Sequence, residues 1–179
     1  MPKNRSSQAT KRLTVCAMLS ALGVILLWIG SMIEVVDISM AVIASLLCVF
    51  AVIEYGGGAP WMVFATTSVL SLILLSHNRA PAFMYLLFFG YYPILKEKLE
   101  KKPRVLAWIL KEVIFNVALA ILLVLTHFLL YPGATLGSML YFYAVLALAA
   151  EVIFPIYDVA LTRLITFYLF RLRKRFRIK

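Results

Sequence analysis

Six long apolar runs divide the chain, separated by short polar interruptions. Leu13 to Met32 carries no charge, and Glu34 and Asp37 then separate it from a second run, Ile38 to Ile53. The segment Glu54-Tyr55-Gly56-Gly57-Gly58-Ala59-Pro60 ends the second run, and His77-Asn78-Arg79-Ala80-Pro81 ends the third, Trp61 to Ser76. Ala82 to Leu95 is the fourth, followed by the charged stretch Lys96 to Arg104. Val105 to Tyr131 is the fifth, broken by Pro132-Gly133, and Leu136 to Phe170 is the sixth. A helix crosses the hydrocarbon layer in about 20 residues, so the pattern predicts six transmembrane helices. The second to fourth runs are short for full spans, which tight glycine and proline turns in the headgroup region explain. Pro60 and Pro81 suit a first helical turn, where no amide donor is needed. The fourth helix is expected to run past Lys96 into water. The sixth run has 35 residues, about 50 Å if helical, and only Pro155 interrupts it. It reads as one long kinked helix, with two segments as the alternative.

Composition makes the bilayer assignment firm. Hydrophobic residues are 64% of the 179 and charged residues 15%, against roughly half and a quarter in a soluble domain. A water-soluble fold of this size would expose aggregating apolar patches. A secreted disulfide scaffold is excluded, because Cys16 and Cys48 both lie inside apolar runs. An aromatic content of 13% with few charges excludes disorder. The first run reads as a retained span. It is longer than the apolar core of a signal peptide, and no Ala-x-Ala site follows it.

The net charge of +10 would suggest nucleic acid if it were spread over one surface. Fifteen of the eighteen basic residues instead fall in three clusters. Lys3, Arg5, Lys11 and Arg12 precede the first run. Lys96, Lys98, Lys101, Lys102 and Arg104 lie in the central stretch, and Arg171, Arg173, Lys174, Arg175, Arg177 and Lys179 end the chain. Basic residues flank spans on the cytoplasmic side. The expected architecture is therefore an all-α polytopic membrane protein with both termini cytoplasmic: a basic N-terminus over 1–12, one six-helix domain over 13–170, and a basic tail over 171–179. Nucleic acid is not an expected partner. The lipid bilayer is.

Ionisable residues inside a bilayer cost about 2.5–3.5 kcal/mol each on insertion scales and need a reason. Lys111 and Glu112 lie two turns into the fifth helix, with Asn116 one turn further and His127 near its outer end. Glu151 is near the middle of the sixth run, and Asp158 and Arg163 lie towards its inner end. Lys111 is expected to snorkel to the headgroups. Glu112 with Arg163, or Lys111 with Asp158, are candidate structural ion pairs. Glu151 is the costliest position, a candidate ligand contact or proton carrier. Glu34, Asp37, Asn78, Arg79, Tyr141 and Tyr143 fall at the outer ends. Together with Asn116, His127 and Glu151 they are expected to surround a cavity that opens outward, mixing aromatic faces with a few polar anchors.

No catalytic motif occurs: there is no His-Glu-x-x-His, Gly-x-Ser-x-Gly or phosphate-cradling loop. Gly56-Gly57-Gly58 lacks the Lys-Ser/Thr of a nucleotide loop. The two cysteines have no neighbours for a metal site. The chain is not expected to be an enzyme, nor to hold a metal or cofactor. Energy for uphill transport would come from a partner or an ion gradient.

The first helix carries Ala17-Met18-Leu19-Ser20-Ala21, which puts Ala17 and Ala21 on one face, with Ser20 and Gly23 expected to widen that small-residue strip. Small residues let membrane helices approach closely, in the bundle or against a partner. With its opening Lys11-Arg12-Leu13-Thr14-Val15-Cys16-Ala17-Met18-Leu19-Ser20-Ala21-Leu22-Gly23, six spans and glycine-rich turn, the chain resembles the S component of bacterial energy-coupling factor transporters. The resemblance implies a multi-pass protein of the bacterial plasma membrane that binds a vitamin or similar micronutrient. It implies a transmembrane coupling subunit seated against Ala17 and Ala21, and two cytoplasmic ATPases. It also implies a ligand site in the outer half, a zone that here holds Glu34, Asp37, Arg79, Asn116, His127, Tyr141 and Glu151. The substrate stays open, because no vitamin-specific motif stands out. Two other readings remain: a membrane scaffold of the cell-wall and cell-shape machinery, similar in size and basic C-terminus to the small rod-shape-determining protein, or a small self-sufficient secondary transporter or lipid enzyme.

Overall fold

Each apolar run folds into helix because a backbone in lipid has no water to bond and must satisfy its own amides and carbonyls. The structure, a computed structural model, describes residues 3–76, 78–130 and 136–172. Among these the regular secondary structure is all helical, in the order α1 (Lys3–Met32), a 3₁₀ turn (Glu34–Val36), α2 (Asp37–Glu54), α3 (Ala59–Leu74), α4 (Ala80–Met84), a π-helical segment (Tyr85–Phe89), α5 (Tyr92–Leu99), α6 (Arg104–Leu130), α7 (Leu136–Phe167) and a second π-helical segment (Tyr168–Leu172). Four of these helical stretches are long and apolar enough to cross a bilayer: Ser7–Met32, Asp37–Glu54, Arg104–Phe128 and Leu140–Arg171. This is a helical membrane protein.

Two of the expected spans differ in detail. The third run gives α3, whose 16 residues reach only about 24 Å. The fourth run does not form one helix. It passes from α4 through the π-helical segment to a turn at Gly90-Tyr91 before α5 resumes with Pro93 in its first turn. Gly90 allows that turn to pack: a β-carbon there would lie 2.7 Å from Phe64 Cδ2 and 2.8 Å from the Tyr85 carbonyl oxygen. The sixth run forms one helix, with Pro155 inside it.

The chain divides into two units, Met1–Leu122 and Leu123–Lys179. In the first, α1 turns one face inward. Cys16, Leu19, Ser20, Gly23, Val24, Leu27, Gly30 and Ser31 are buried, while Leu13, Ala17, Met18, Ala21, Leu22, Ile25 and Trp28 are exposed. The buried positions recur every three or four residues, as one face of a 3.6-residue helix requires. Leu27 packs with Ala41, Ala44, Leu75, Ala82 and Tyr85 in one cluster. Cys16 and Leu19 pack with Ala51, Ala59 and Val63 in a second. The alanines keep the helices close, as packing in lipid demands. At Gly23 a β-carbon would sit 3.0 Å from Thr67 Cγ2, and at Gly30 2.9 Å from Met40 Cβ. Ser20 and Gly23 therefore belong to the bundle rather than to the outward strip: α1 has small residues on two faces, and of these four Ala17 and Ala21 remain outside.

Buried hydroxyls are mostly satisfied within their own helices. Ser20 donates to the Cys16 carbonyl at 2.9 Å, Ser45 to Val42 at 2.6 Å and Ser71 to Ser68 at 3.0 Å. Such bonds let polar side chains sit in an apolar bundle at little cost.

Candidate functional site

Side-chain links sort the first unit into two ends. At one, Arg12 Nη2 donates to the Gly56 carbonyl at 2.8 Å, holding the start of α1 against the turn between α2 and α3. That turn needs glycine, because Gly56 and Gly57 have φ of 55° and 56°. Lys98 Nζ lies 5.8 Å from the Trp61 ring centroid, which brings the end of α5 to the start of α3. At the other end, Asn78 Nδ2 donates to Asp37 Oδ2 at 3.0 Å. Asn78 Oδ1 also accepts from the Ala80 amide at 2.9 Å and so begins α4. Arg79, beside this pair, is exposed. The side chain of Glu34 lies outside the described residues, as does His77.

The expected outer constellation is thus assembled in parts. Asp37 and Asn78 meet, and Asp37 is 9% exposed. In the second unit His127 Nδ1 and the Tyr143 hydroxyl are 3.1 Å apart, with the rings edge to face at 5.9 Å. Phe128 stands edge-on to His127 and Phe142 beside Tyr143. Tyr141 instead projects outward, 82% exposed, and Glu151 is half-buried. In the first unit Asn116 is exposed and donates to the Glu112 carbonyl of its own helix at 3.1 Å.

The basic end holds a cluster the sequence did not announce. Lys96 and Lys111 both approach Glu100 Oε1, at 2.9 and 3.4 Å. Both lysines are buried, at 1% and 4% exposure, whereas Glu100 is half-open to its surroundings. Lys111 Nζ also lies 5.5 Å from the Trp108 ring. Lys111, expected to snorkel, has a carboxylate eleven residues away that reaches it across the α5–α6 turn, so its ammonium is paired at that turn. The only sequence sign was spacing, since Lys96 and Glu100 are one helical turn apart and Lys111 follows within two turns of α6. A second pair, Lys101 and Glu97 at 3.1 Å, is exposed.

Searches against protein-family models, curated proteins and solved structures returned no match to this chain.

Proposed function

We propose that the chain is a membrane-embedded substrate-binding subunit for uptake of a small molecule such as a vitamin or other micronutrient, working with a transmembrane coupling subunit and two cytoplasmic ATPases. This is the role that the resemblance to S components implies. One observation carries it: Ala17 and Ala21 stay on the outward face of α1, after Ser20 and Gly23 have been used for packing inside. Lipid tails gain nothing from small residues, whereas a partner helix does, because they let two backbones approach.

In this reading the chain crosses the membrane six times. The long helices supply four crossings, α3 a fifth, and the interrupted stretch from α4 to α5 a sixth. The links described above support alternating directions over the first five crossings. Arg12 with Gly56 and Lys98 with Trp61 gather one set of helix ends, and Asp37 with Asn78 joins two connections at the other. Lys11, Arg12, Lys98, Lys102 and Arg104 fall on the first side, which the positive-inside tendency makes cytoplasmic. The candidate ligand contacts remain Glu34, Asp37, Arg79 and Asn116 in the first unit, and His127, Tyr141 and Glu151 in the second. Recognition rather than catalysis is the proposed chemistry, in the plasma membrane of a bacterium.

A scaffold role is the second reading. It is favoured by Asn116, whose amide is bonded by the carbonyl one turn back rather than held for a ligand.

The test uses the full chain, tagged and purified in mild detergent from its native membrane. Copurification of a coupling subunit and two ATPases is expected, together with a retained small-molecule mass in native mass spectrometry. The double variant Ala17→Leu/Ala21→Leu should stay monodisperse and lose the ATPases. A complex that survives in the variant, or a wild-type chain that brings down no ATPase, overturns the coupling role. Recovery with wall-synthesis proteins and no bound small molecule supports the scaffold.

A further inference from the structure

The ion pairs at the basic end leave a remainder. Between Lys96 and Arg104 the chain has five cations and the two carboxylates Glu97 and Glu100. Glu100 is shared by the buried Lys96 and Lys111, and Glu97 is bonded by Lys101. Lys98, Lys102 and Arg104 are exposed, and among the described residues none of the three is paired with a carboxylate. Two tryptophans flank this turn: Trp61 beneath Lys98 at 5.8 Å and Trp108 beneath Lys111 at 5.5 Å. Trp61 is 39% exposed, on the rim of the unit rather than in its core. Tryptophan beside lysine at helix ends marks the level where hydrocarbon meets headgroups, so three unneutralised cations stand at the depth of lipid phosphates.

We propose that the α5–α6 turn is a headgroup site for an anionic phospholipid, in which Lys102 and Arg104 contact the phosphate and Lys98, seated on Trp61, carries the third charge. This inference needs only that the chain sits in a bilayer, and it stands apart from the transport reading. The buried Lys96–Glu100–Lys111 cluster is the support of the site. By occupying Glu100 it keeps that carboxylate from neutralising the exposed cations, and it fixes the end of α5 against the start of α6. Exposed ammonium and guanidinium groups attract anionic lipid by roughly fivefold each near a membrane surface. The three together should therefore favour an anionic headgroup by about two orders of magnitude. A zwitterionic lipid brings its own cation and gains much less.

The experiment adds phosphatidylglycerol or phosphatidylcholine of identical acyl chains to the full-length detergent-solubilised protein and counts retained lipids by native mass spectrometry. Preferential retention of phosphatidylglycerol is expected. The variant Lys98→Gln/Lys102→Gln/Arg104→Gln should retain both lipids alike, and Lys98→Arg/Lys102→Arg/Arg104→Lys should behave as wild type. Lys101→Gln, which removes a cation already paired with Glu97, should change retention little. Equal retention of the two lipids by the wild-type chain overturns the proposal without reference to any variant. So does undiminished phosphatidylglycerol retention in the glutamine variant, which would place the site on the other basic segments, or a loss in the charge-conserving variant.

Discussion

Asn78 donates to Asp37 across 41 positions of sequence, at 3.0 Å, and so joins the α1–α2 connection to the α3–α4 connection. The same side chain begins α4 by accepting from Ala80. Asn78→Ala removes both bonds and should destabilise the protein by about 2–4 kcal/mol, since a hydrogen bond to a charged group contributes about 1.5–3 and a neutral one about 0.5–1.5. Asp37→Asn keeps an acceptor oxygen and should cost less. Thermal unfolding in detergent should rank the two in that order, and wild-type midpoints in both variants would show that the link contributes nothing.

The two small-residue faces of α1 should respond in opposite ways. Gly23→Leu drives a side chain into Thr67 and should destabilise the fold by roughly 1–3 kcal/mol or more. Ala17→Leu faces outward and should stay within about 0.5 kcal/mol. If both unfold alike, α1 is rotated from the orientation described.

Thr67 Oγ1 is buried with no hydrogen-bond partner. An unsatisfied buried hydroxyl costs about 1–3 kcal/mol. Thr67→Val, nearly the same shape, should therefore be neutral or raise the melting midpoint. A loss of more than about 1 kcal/mol would mean that the hydroxyl has a partner, such as a bound water.

Glu100 should couple more strongly to Lys96 than to Lys111, because the distances are 2.9 and 3.4 Å. Double-mutant cycles of Glu100→Gln with Lys96→Met and with Lys111→Met measure this directly. Glu100 is half-exposed, which screens the interaction. Glu100→Gln should therefore cost about 1–2 kcal/mol, below the 3–5 typical of fully buried pairs.

Orientation is open to labelling. Cys16 and Cys48 are buried, at 3% and 0% exposure, and should resist maleimides in the folded protein. Arg79→Cys should then label with an impermeant maleimide from outside intact cells, and Lys102→Cys only after the membrane is opened. Labelling of both from one side would remove the alternating topology.

Much of this fold is readable from residue pattern alone, because lipid enforces helix wherever an apolar run is long enough. Gly56-Gly57-Gly58 is a turn as expected, and the run containing Pro155 is one helix. The break at Gly90-Tyr91 leaves no mark in the hydropathy pattern, because it lies inside an apolar run, and Gly90 and Pro93 are its signals in the sequence. The face of α1 that packs inward was ambiguous for a physical reason. Ala17, Ser20, Ala21 and Gly23 are all small, and contacts with α2 and α3, such as Thr67 at Gly23, decide between them. The candidate site was less legible. Asp37 with Asn78 and His127 with Tyr143 are pairings between separate segments of the chain, which spacing does not specify. Lys111 illustrates the same limit, since its apparent isolation in an apolar run vanishes once Glu100 folds beside it.

The shared carboxylate also bears on how the protein is made. The chain is synthesised from its N-terminus, so Lys96 and Glu100 leave the ribosome before Lys111 does. When α6 partitions into lipid, its lysine meets a counter-charge already waiting one loop away. The ammonium then need not enter hydrocarbon unaccompanied. The order of α5 and α6 along the chain thus puts the shared carboxylate ahead of the second lysine that uses it.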